Sequence, residues 1–159
     1  DPMGFTSLVL DAISDLKFSV QSYKIILPHG FDLKNTRNDY KDSSHIEFHE
    51  FGTLNFAKEL KMASYAVING GVTRYECVAA NTYFIALSIH DLQSNLTEKV
   101  AKFGYGKNFG VFGAKDVHRL STLLNCLPDS PSLLCDAIGR PTLTADRAQW
   151  ILEQVTLEI

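Results

Sequence analysis

The sequence from Ser64 to Glu76 is SYAVINGGVTRYE, and it predicts a strand, a glycine turn and a helix in succession. Mostly apolar, β-prone residues at 65–69 lead into a Gly-Gly pair, and a helix is expected to start near Thr73. A helix that begins at such a turn presents unbonded backbone N–H groups and the positive end of its dipole at one point, which favours phosphate. We therefore expect this stretch to bind a nucleotide or a nucleotide-linked sugar.

Helical and strand patterns alternate along the rest of the chain. Predicted strands cover 22–27, 45–50, 65–69, 83–89 and 106–113, and predicted helices cover 5–16, 55–62, 73–80, 95–103, 116–127, a short segment after Ser132, and 144–157, with a weak helix or irregular loop at 33–42. This alternation predicts one α/β domain over residues 1–159, with a Rossmann-like, doubly wound, mainly parallel sheet and helices on both faces. The apolar runs YAVI and YFIALSI are expected to be central strands.

The composition limits the classes of partner. The net charge of −3 comes from interspersed residues without a basic run, which argues against nucleic acid. The longest apolar runs are far shorter than the ~20 residues of a membrane span. The three cysteines have no CxxC spacing, so we expect three buried or half-buried thiols in a protein of the cytoplasm, with neither a disulfide scaffold nor structural zinc.

The turn within the opening stretch supplies the first candidate binding residues. Gly70 and Gly71 can adopt positive φ and let the backbone approach a ligand, whereas the alternative is a tight turn that needs glycine for geometry alone. Thr73 can donate its hydroxyl to a phosphate oxygen or act as a helix N-cap. We favour phosphate binding, with Asn69 and Val72 in the same segment, because ligands bind at the carboxyl ends of parallel strands.

Glu76 has two open roles. It stands three residues after Thr73, which is the spacing of a capping box whose carboxylate accepts a hydrogen bond from the N–H of the cap residue. Alternatively, its two carboxylate oxygens accept hydrogen bonds from two ribose hydroxyls. Spacing alone does not separate these roles, because both place Glu76 one turn into the helix.

The segment after the next strand adds polar candidates at the same edge of the sheet. Gln93 offers donors and an acceptor to a sugar or a phosphate, and Asp91 is either a ligand contact or a turn former. His90 is an alternative catalytic base. Asn95 opens an Asn-x-x-Glu spacing and is expected to be a structural helix cap.

The remaining histidines give no metal site. His29 follows the strand at 22–27 and is either a ligand contact or a turn residue. His45, Glu47 and His49 share one face of a predicted strand, but alternate strand residues are ~6.5 Å apart, so the two histidines are ~13 Å apart and too far to bind one ion. We expect a solvated polar face there, with no metal and no cofactor.

Three segments of the chain together resemble the C-terminal nucleotide-binding half of GT-B glycosyltransferase-like proteins. They are NGGVTRYECVAANTYFIALSI with HDLQSN at 69–95, DPMGFTSLVLDAI at 1–13, and DAIGRPTLTADRAQWILEQV at 136–155. The first is similar to the family's Gly-Gly, Ser/Thr and Glu pattern, the second to its Asp-Pro turn and following helix, and the third to its tail and final helix. Within that family, the chain resembles the UDP-sugar hydrolases of pseudaminic acid biosynthesis and the spore-coat polysaccharide biosynthesis proteins.

The resemblance implies a domain that binds a nucleotide-diphosphate sugar, with UDP as the expected nucleotide, in a hydrolase or glycosyltransferase-like protein of surface polysaccharide or nonulosonic acid biosynthesis. The helix N-terminus at 71–73 then holds the pyrophosphate, Glu76 holds the ribose, and the loop around His29 passes near the base. In the hydrolases the catalytic histidine belongs to an N-terminal half that this chain lacks. The chain alone is therefore expected to be inactive.

The chain also departs from the family pattern. The family's first strand is absent, which is expected to leave a gap in a sheet of strand order 3-2-1-4-5-6. Leu92 stands where relatives usually carry Asn. Two further functions stay open, namely a non-catalytic α/β interaction or regulatory module that binds no nucleotide, and a self-sufficient small hydrolase that uses His90 or His29.

Overall fold

A completely buried strand, β4 at Tyr83–Ser88, forms the centre of the larger sheet. Strands β3 at Tyr65–Asn69 and β5 at Gly106–Val111 pair with it in parallel, in the order β3-β4-β5. Asn69 at the end of β3 lies opposite Leu87. The carboxyl ends of the two strands therefore meet at one edge, where the polar segments that follow them begin.

The computed structural model describes residues 4–14, 16, 22–27, 31, 40 and 46–127. The other elements in these ranges are α1 at Phe5–Ser14, β1 at Tyr23–Leu27, β2 at Ile46–Glu50, α2 at Phe56–Met62, α3 at Thr73–Ala80, α4 at Asp91–Val100, a π-helical turn at Ala101–Tyr105, a 3₁₀ turn at Ala114–Asp116 and α5 at Val117–Asn125. The predicted α/β, Rossmann-like class is confirmed. The predicted elements at 33–42, after Ser132 and at 144–157 lie wholly or almost wholly outside the described residues.

The described residues fall into two compact units. One consists of residues 57–112 and contains the three-stranded sheet. The other consists of residues up to Phe56 together with 113–127, and in it β1 and β2 pair in parallel. Its core contains Leu10, Leu27 and Phe48, and α1 packs against α5. That the whole chain is one domain stays a prediction.

The position of β3 corrects one expectation. Within the described part of the chain it pairs only with β4, and Tyr65 to Ile68 are half-buried, so of the two apolar runs only YFIALSI forms a central strand. A strand that pairs on one side keeps more of its side chains accessible than a strand paired on both sides.

The observed strand pairs are compatible with two strand orders of wound α/β proteins. The pair β1-β2 and the triplet β3-β4-β5 occur both in the order 3-2-1-4-5-6 without its first strand and in the order 2-1-3-4-5. The absent first strand therefore stays a prediction.

Glycine at position 106 sets how closely β5 approaches β4. A Cβ on Gly106 would overlap the ring of Phe84, whereas a Cβ on Gly113 would have no neighbour within 4 Å. Gly106→Ala is therefore expected to lower the free energy of unfolding by about 1–3 kcal/mol through overpacking. Gly113 has an extended backbone (φ −161°), and Gly113→Ala is the control, expected to change the value by no more than about 0.5 kcal/mol. Urea unfolding followed by circular dichroism measures both, and equal effects would contradict the close packing.

Two of the cysteines differ sharply in accessibility. Cys77 on α3 is fully buried, and burial, together with the adjacent carboxylate of Glu76, raises the pKa of its thiol to about 12. Cys126 is exposed, so the expectation of three buried or half-buried thiols is wrong for this residue. Cys135 lies outside the described residues. Because the thiolate is the nucleophile, Cys77 is expected to be unreactive near neutral pH.

Alkylation tests this difference. Iodoacetamide at pH 8 is expected to modify Cys126 in the folded protein and to leave Cys77 unmodified, whereas in denaturing urea it modifies both. Peptide mass spectrometry measures the extent at each site. Above about pH 9 the thiol of Cys77 ionises in the unfolded chain but not in the folded one until about pH 12, so its contribution to stability falls over that range. Equal alkylation of the two cysteines in the folded protein would contradict the burial of Cys77.

Candidate functional site

The turn between β3 and α3 is held against the end of β4. The N–H of Gly70 donates to the carbonyl of Leu87 (2.8 Å), which continues the pairing of the two strands by one residue. The N–H of Gly71 donates to the Asn69 side-chain oxygen (3.0 Å). Both glycine N–H groups are therefore used within the turn and are not available to a ligand, contrary to the simplest form of a glycine-rich phosphate site.

Close packing explains why glycine stands at position 70. A Cβ there would lie 2.6 Å from Ser88 Oγ and 3.0 Å from both Gln93 Cγ and Thr97 Oγ1. Neither Gly70 nor Gly71 has a positive φ, so the expectation that the pair supplies left-handed backbone is wrong. The missing Cβ instead lets the turn lie directly on β4 and α4.

The start of α3 differs from a capping box. Helix α3 begins at Thr73 with Val72 as its N-cap residue, and no side chain accepts a cap hydrogen bond. Thr73 is therefore the first helical residue and not the cap, so the capping-box role of Glu76 is wrong. Glu76 is exposed, and its contact with ribose stays a prediction.

Two backbone donors remain at this helix terminus. The backbone N–H of Arg74 donates to the carbonyl oxygen of Gly71 (3.4 Å), and the N–H of Tyr75 donates to the carbonyl oxygen of Val72 (2.9 Å). The N–H groups of Val72 and Thr73 have no acceptor among the described residues. Val72 is 76% exposed, so this end of the helix faces solvent. Adjacent unbonded N–H groups at the positive end of a helix dipole can accommodate a phosphate oxygen.

A buried arginine lies beneath the turn. Arg74 is 6% exposed, and its Nη1 donates to the carbonyl oxygens of Gly70 and Gly71, the latter at 2.8 Å. Its Nη2 donates to the hydroxyl of Tyr75 (2.9 Å), and the guanidinium carbon lies 4.5 Å from the centre of that ring. Within the described ranges Arg74 forms no ion pair, and its Nε has no partner. Sequence reasoning missed this residue, since a single arginine in a helical pattern is usually exposed.

The start of α4 contradicts the predicted helix boundary. His90 is the N-cap residue, and its Nδ1 accepts a hydrogen bond from the N–H of Gln93 (3.2 Å). In return, the Gln93 side-chain oxygen accepts from the N–H of Ile89 (2.7 Å). This reciprocal arrangement starts the helix at Asp91, four residues before the predicted start, so Asn95 lies inside α4 and is not its cap. Imidazole is an uncommon cap, which is why the cap preferences pointed to Asn95.

The structure brings most of the predicted binding residues to one edge. Gln93, near the start of α4, lies beside the β3–α3 turn. Its Nε2 is 3.9 Å from the position that a Cβ on Gly71 would occupy. Thr97 Oγ1 donates to the carbonyl of Gln93 (2.9 Å), and Ser88 Oγ beneath Gly70 is buried without a partner in the described residues. Asp91 is exposed in the first turn of α4. His29 lies outside the described residues.

No metal site is evident in the described part of the chain. Its His, Cys, Asp and Glu side chains form no group of three that is suited to a metal ion. His49 and Glu47 do share a face of β2, where His49 Nε2 lies 3.4 Å from Glu47 Oε2. His45 lies outside the described residues.

Comparisons of the chain with models of protein families, with curated proteins and with solved structures found no match. In the described ranges, none of the helices combines the length and apolar character that a membrane span requires.

Replacement of His90 tests its capping role. His90→Ala is expected to lower the free energy of unfolding by about 0.5–2 kcal/mol, because the N–H of Gln93 loses its acceptor, whereas His90→Asn keeps a cap acceptor and most of the stability. His118→Ala is the control, since His118 is exposed and uses only its backbone carbonyl, which accepts from Thr122. Urea unfolding measures all three variants. Equal effects of His90→Ala and His118→Ala would show that the imidazole does not cap α4.

Proposed function

We propose that the chain binds the diphosphate of a nucleotide-linked sugar at the β3–α3 turn, with UDP as the nucleotide. The observation that carries this proposal is the pair of unbonded N–H groups of Val72 and Thr73 above the buried cation of Arg74. A positive helix terminus, a desolvated cation and free donors together favour an anion. The parallel strands place this turn at the edge of the sheet where ligands of wound α/β proteins bind.

The residues around the turn have distinct roles in this proposal. The diphosphate accepts hydrogen bonds from the N–H groups of Val72 and Thr73 and from the hydroxyl of Thr73. The Gln93 amide donates to a phosphate or sugar oxygen from the neighbouring turn. Glu76, exposed on α3, accepts from the ribose hydroxyls. Asn69 holds the turn through the N–H of Gly71.

The proposed activity needs a second domain. In a hydrolase or glycosyltransferase-like protein of surface polysaccharide biosynthesis, this chain binds the nucleotide while an N-terminal GT-B-like domain brings water or an acceptor to the sugar. We propose that this reaction takes place in the cytoplasm, where the exposed thiol of Cys126 stays reduced. The chain alone then binds UDP without turnover.

Calorimetric titration with UDP, CDP, GDP and dTDP tests the proposal. UDP is expected to bind the wild-type chain, and Glu76→Ala is expected to weaken binding about 10-fold or more, because a hydrogen bond to a charged group contributes about 1.5–3 kcal/mol. Glu47→Ala, which removes an exposed carboxylate on β2, is the matched control and leaves the affinity unchanged.

Two outcomes would contradict the proposal. If none of the four nucleotides binds at millimolar concentration, the chain is not a nucleotide-binding domain, and the interaction-module alternative takes its place. If UDP binds equally to the wild type, Glu76→Ala and Glu47→Ala, Glu76 does not hold the ribose.

A further inference from the structure

The guanidinium of Arg74 controls the orientation of the peptide that carries the Val72 N–H. In a trans peptide the C=O and N–H bonds are antiparallel. Since the carbonyl oxygen of Gly71 accepts from Arg74, the N–H of Val72 points away from the guanidinium. The same holds one residue earlier, where Arg74 binds the Gly70 carbonyl and the N–H of Gly71 reaches the side chain of Asn69. Arg74 thereby removes two carbonyl oxygens from the surface that a phosphate would meet.

The charge of Arg74 is also uncompensated in the described part of the chain. A buried cation without a carboxylate partner is unfavourable, and its place in the first turn of α3 adds the positive end of the helix dipole. The nearest acidic residue along the helix, Glu76, is exposed and forms no hydrogen bond or ion pair with a described residue. The neutral hydroxyl of Ser88, buried without a partner below Gly70, supplies no counter-charge. An anion bound at the solvent-facing side of the turn would provide the counter-charge for Arg74.

We propose that Arg74 is a positioning residue that makes the β3–α3 turn select its ligand by negative charge, so that a diphosphate binds more tightly than a monophosphate and far more tightly than an uncharged nucleoside. This inference rests on the location of the site in the proposed function. The preference for charged ligands is then due to Arg74. Its side chain acts through the peptides of the turn and through its electrostatic field, and it does not contact the ligand.

The affinities of UDP, UMP, uridine and inorganic pyrophosphate for the wild-type chain test the proposal without mutation. Calorimetry is expected to give the order UDP, UMP, uridine from tightest to weakest, with measurable binding of pyrophosphate. The UDP affinity falls as NaCl rises, and the uridine affinity does not. Equal affinities for UDP and uridine would overturn the inference.

Substitutions then separate charge from structure. Arg74→Gln is expected to weaken UDP binding at least 10-fold and to leave uridine binding unchanged, whereas Arg74→Lys, which retains the charge, recovers part of the loss. Arg119→Gln is the matched control, because Arg119 is an exposed arginine on α5 beside Asp116. Circular dichroism and amide NMR spectra establish that each variant is folded. If Arg74→Gln does not fold, Arg74→Lys decides the outcome, because a UDP affinity equal to that of the wild type would exclude a positioning role of the guanidinium.

The failures of the two proposals are distinguishable. If pyrophosphate binds in an Arg74-dependent manner but UDP binds no more tightly, the nucleotide function fails and the charge selection stands. If UDP binds and Arg74→Gln binds it equally well, the role of Arg74 fails and the nucleotide function stands. If neither UDP nor pyrophosphate binds the wild type, both fail.

Discussion

The absence of a side chain at Gly70 is the constraint on which the candidate site depends. Because no Cβ separates the turn from Ser88 and Thr97, the N–H of Gly70 can reach the Leu87 carbonyl and extend the pairing of β3 with β4 beyond the strand itself. The same approach brings Gln93 beside the turn. Any larger residue at position 70 must move one of these elements, and the site would lose the convergence of its two polar segments.

The sequence predicted those parts of the structure that depend on local patterns. The strand at 65–69 and the helix at 73–80 have the predicted bounds, because an apolar run followed by glycines marks both ends of the turn. The start of α4 was predicted wrongly because an imidazole caps it, and capping preferences do not favour histidine. Likewise, the burial of Arg74 depends on the folding back of its side chain onto two carbonyls, which no periodicity encodes.

The glycines of the turn meet a different physical demand from the positive φ that the sequence suggested. The sequence left two explanations open for Gly70 and Gly71, positive φ with close approach of a ligand, or a tight turn that needs glycine for geometry alone. The structure supports the second, because a Cβ on Gly70 would overlap its neighbours and the N–H of Gly71 donates to the side chain of Asn69. A glycine in a sequence indicates that a larger side chain is not tolerated at that position. It does not indicate the reason, because both positive φ and close packing can require glycine. The backbone donors without an acceptor among the described residues consequently belong to Val72 and Thr73, two positions later than the donors of a glycine-centred site.

The hydrogen bonds from Arg74 to the turn have a consequence for the cost of ligand binding. Arg74 holds the Gly71 carbonyl and the N–H of Tyr75 holds the Val72 carbonyl, so the peptides that carry the Val72 and Thr73 N–H groups are ordered before any ligand arrives. A loop that folds around its ligand loses conformational entropy on binding, whereas a turn fixed in this way has lost it during folding. The turn is thus preorganised, and binding of the proposed ligand would not require ordering of this part of the backbone.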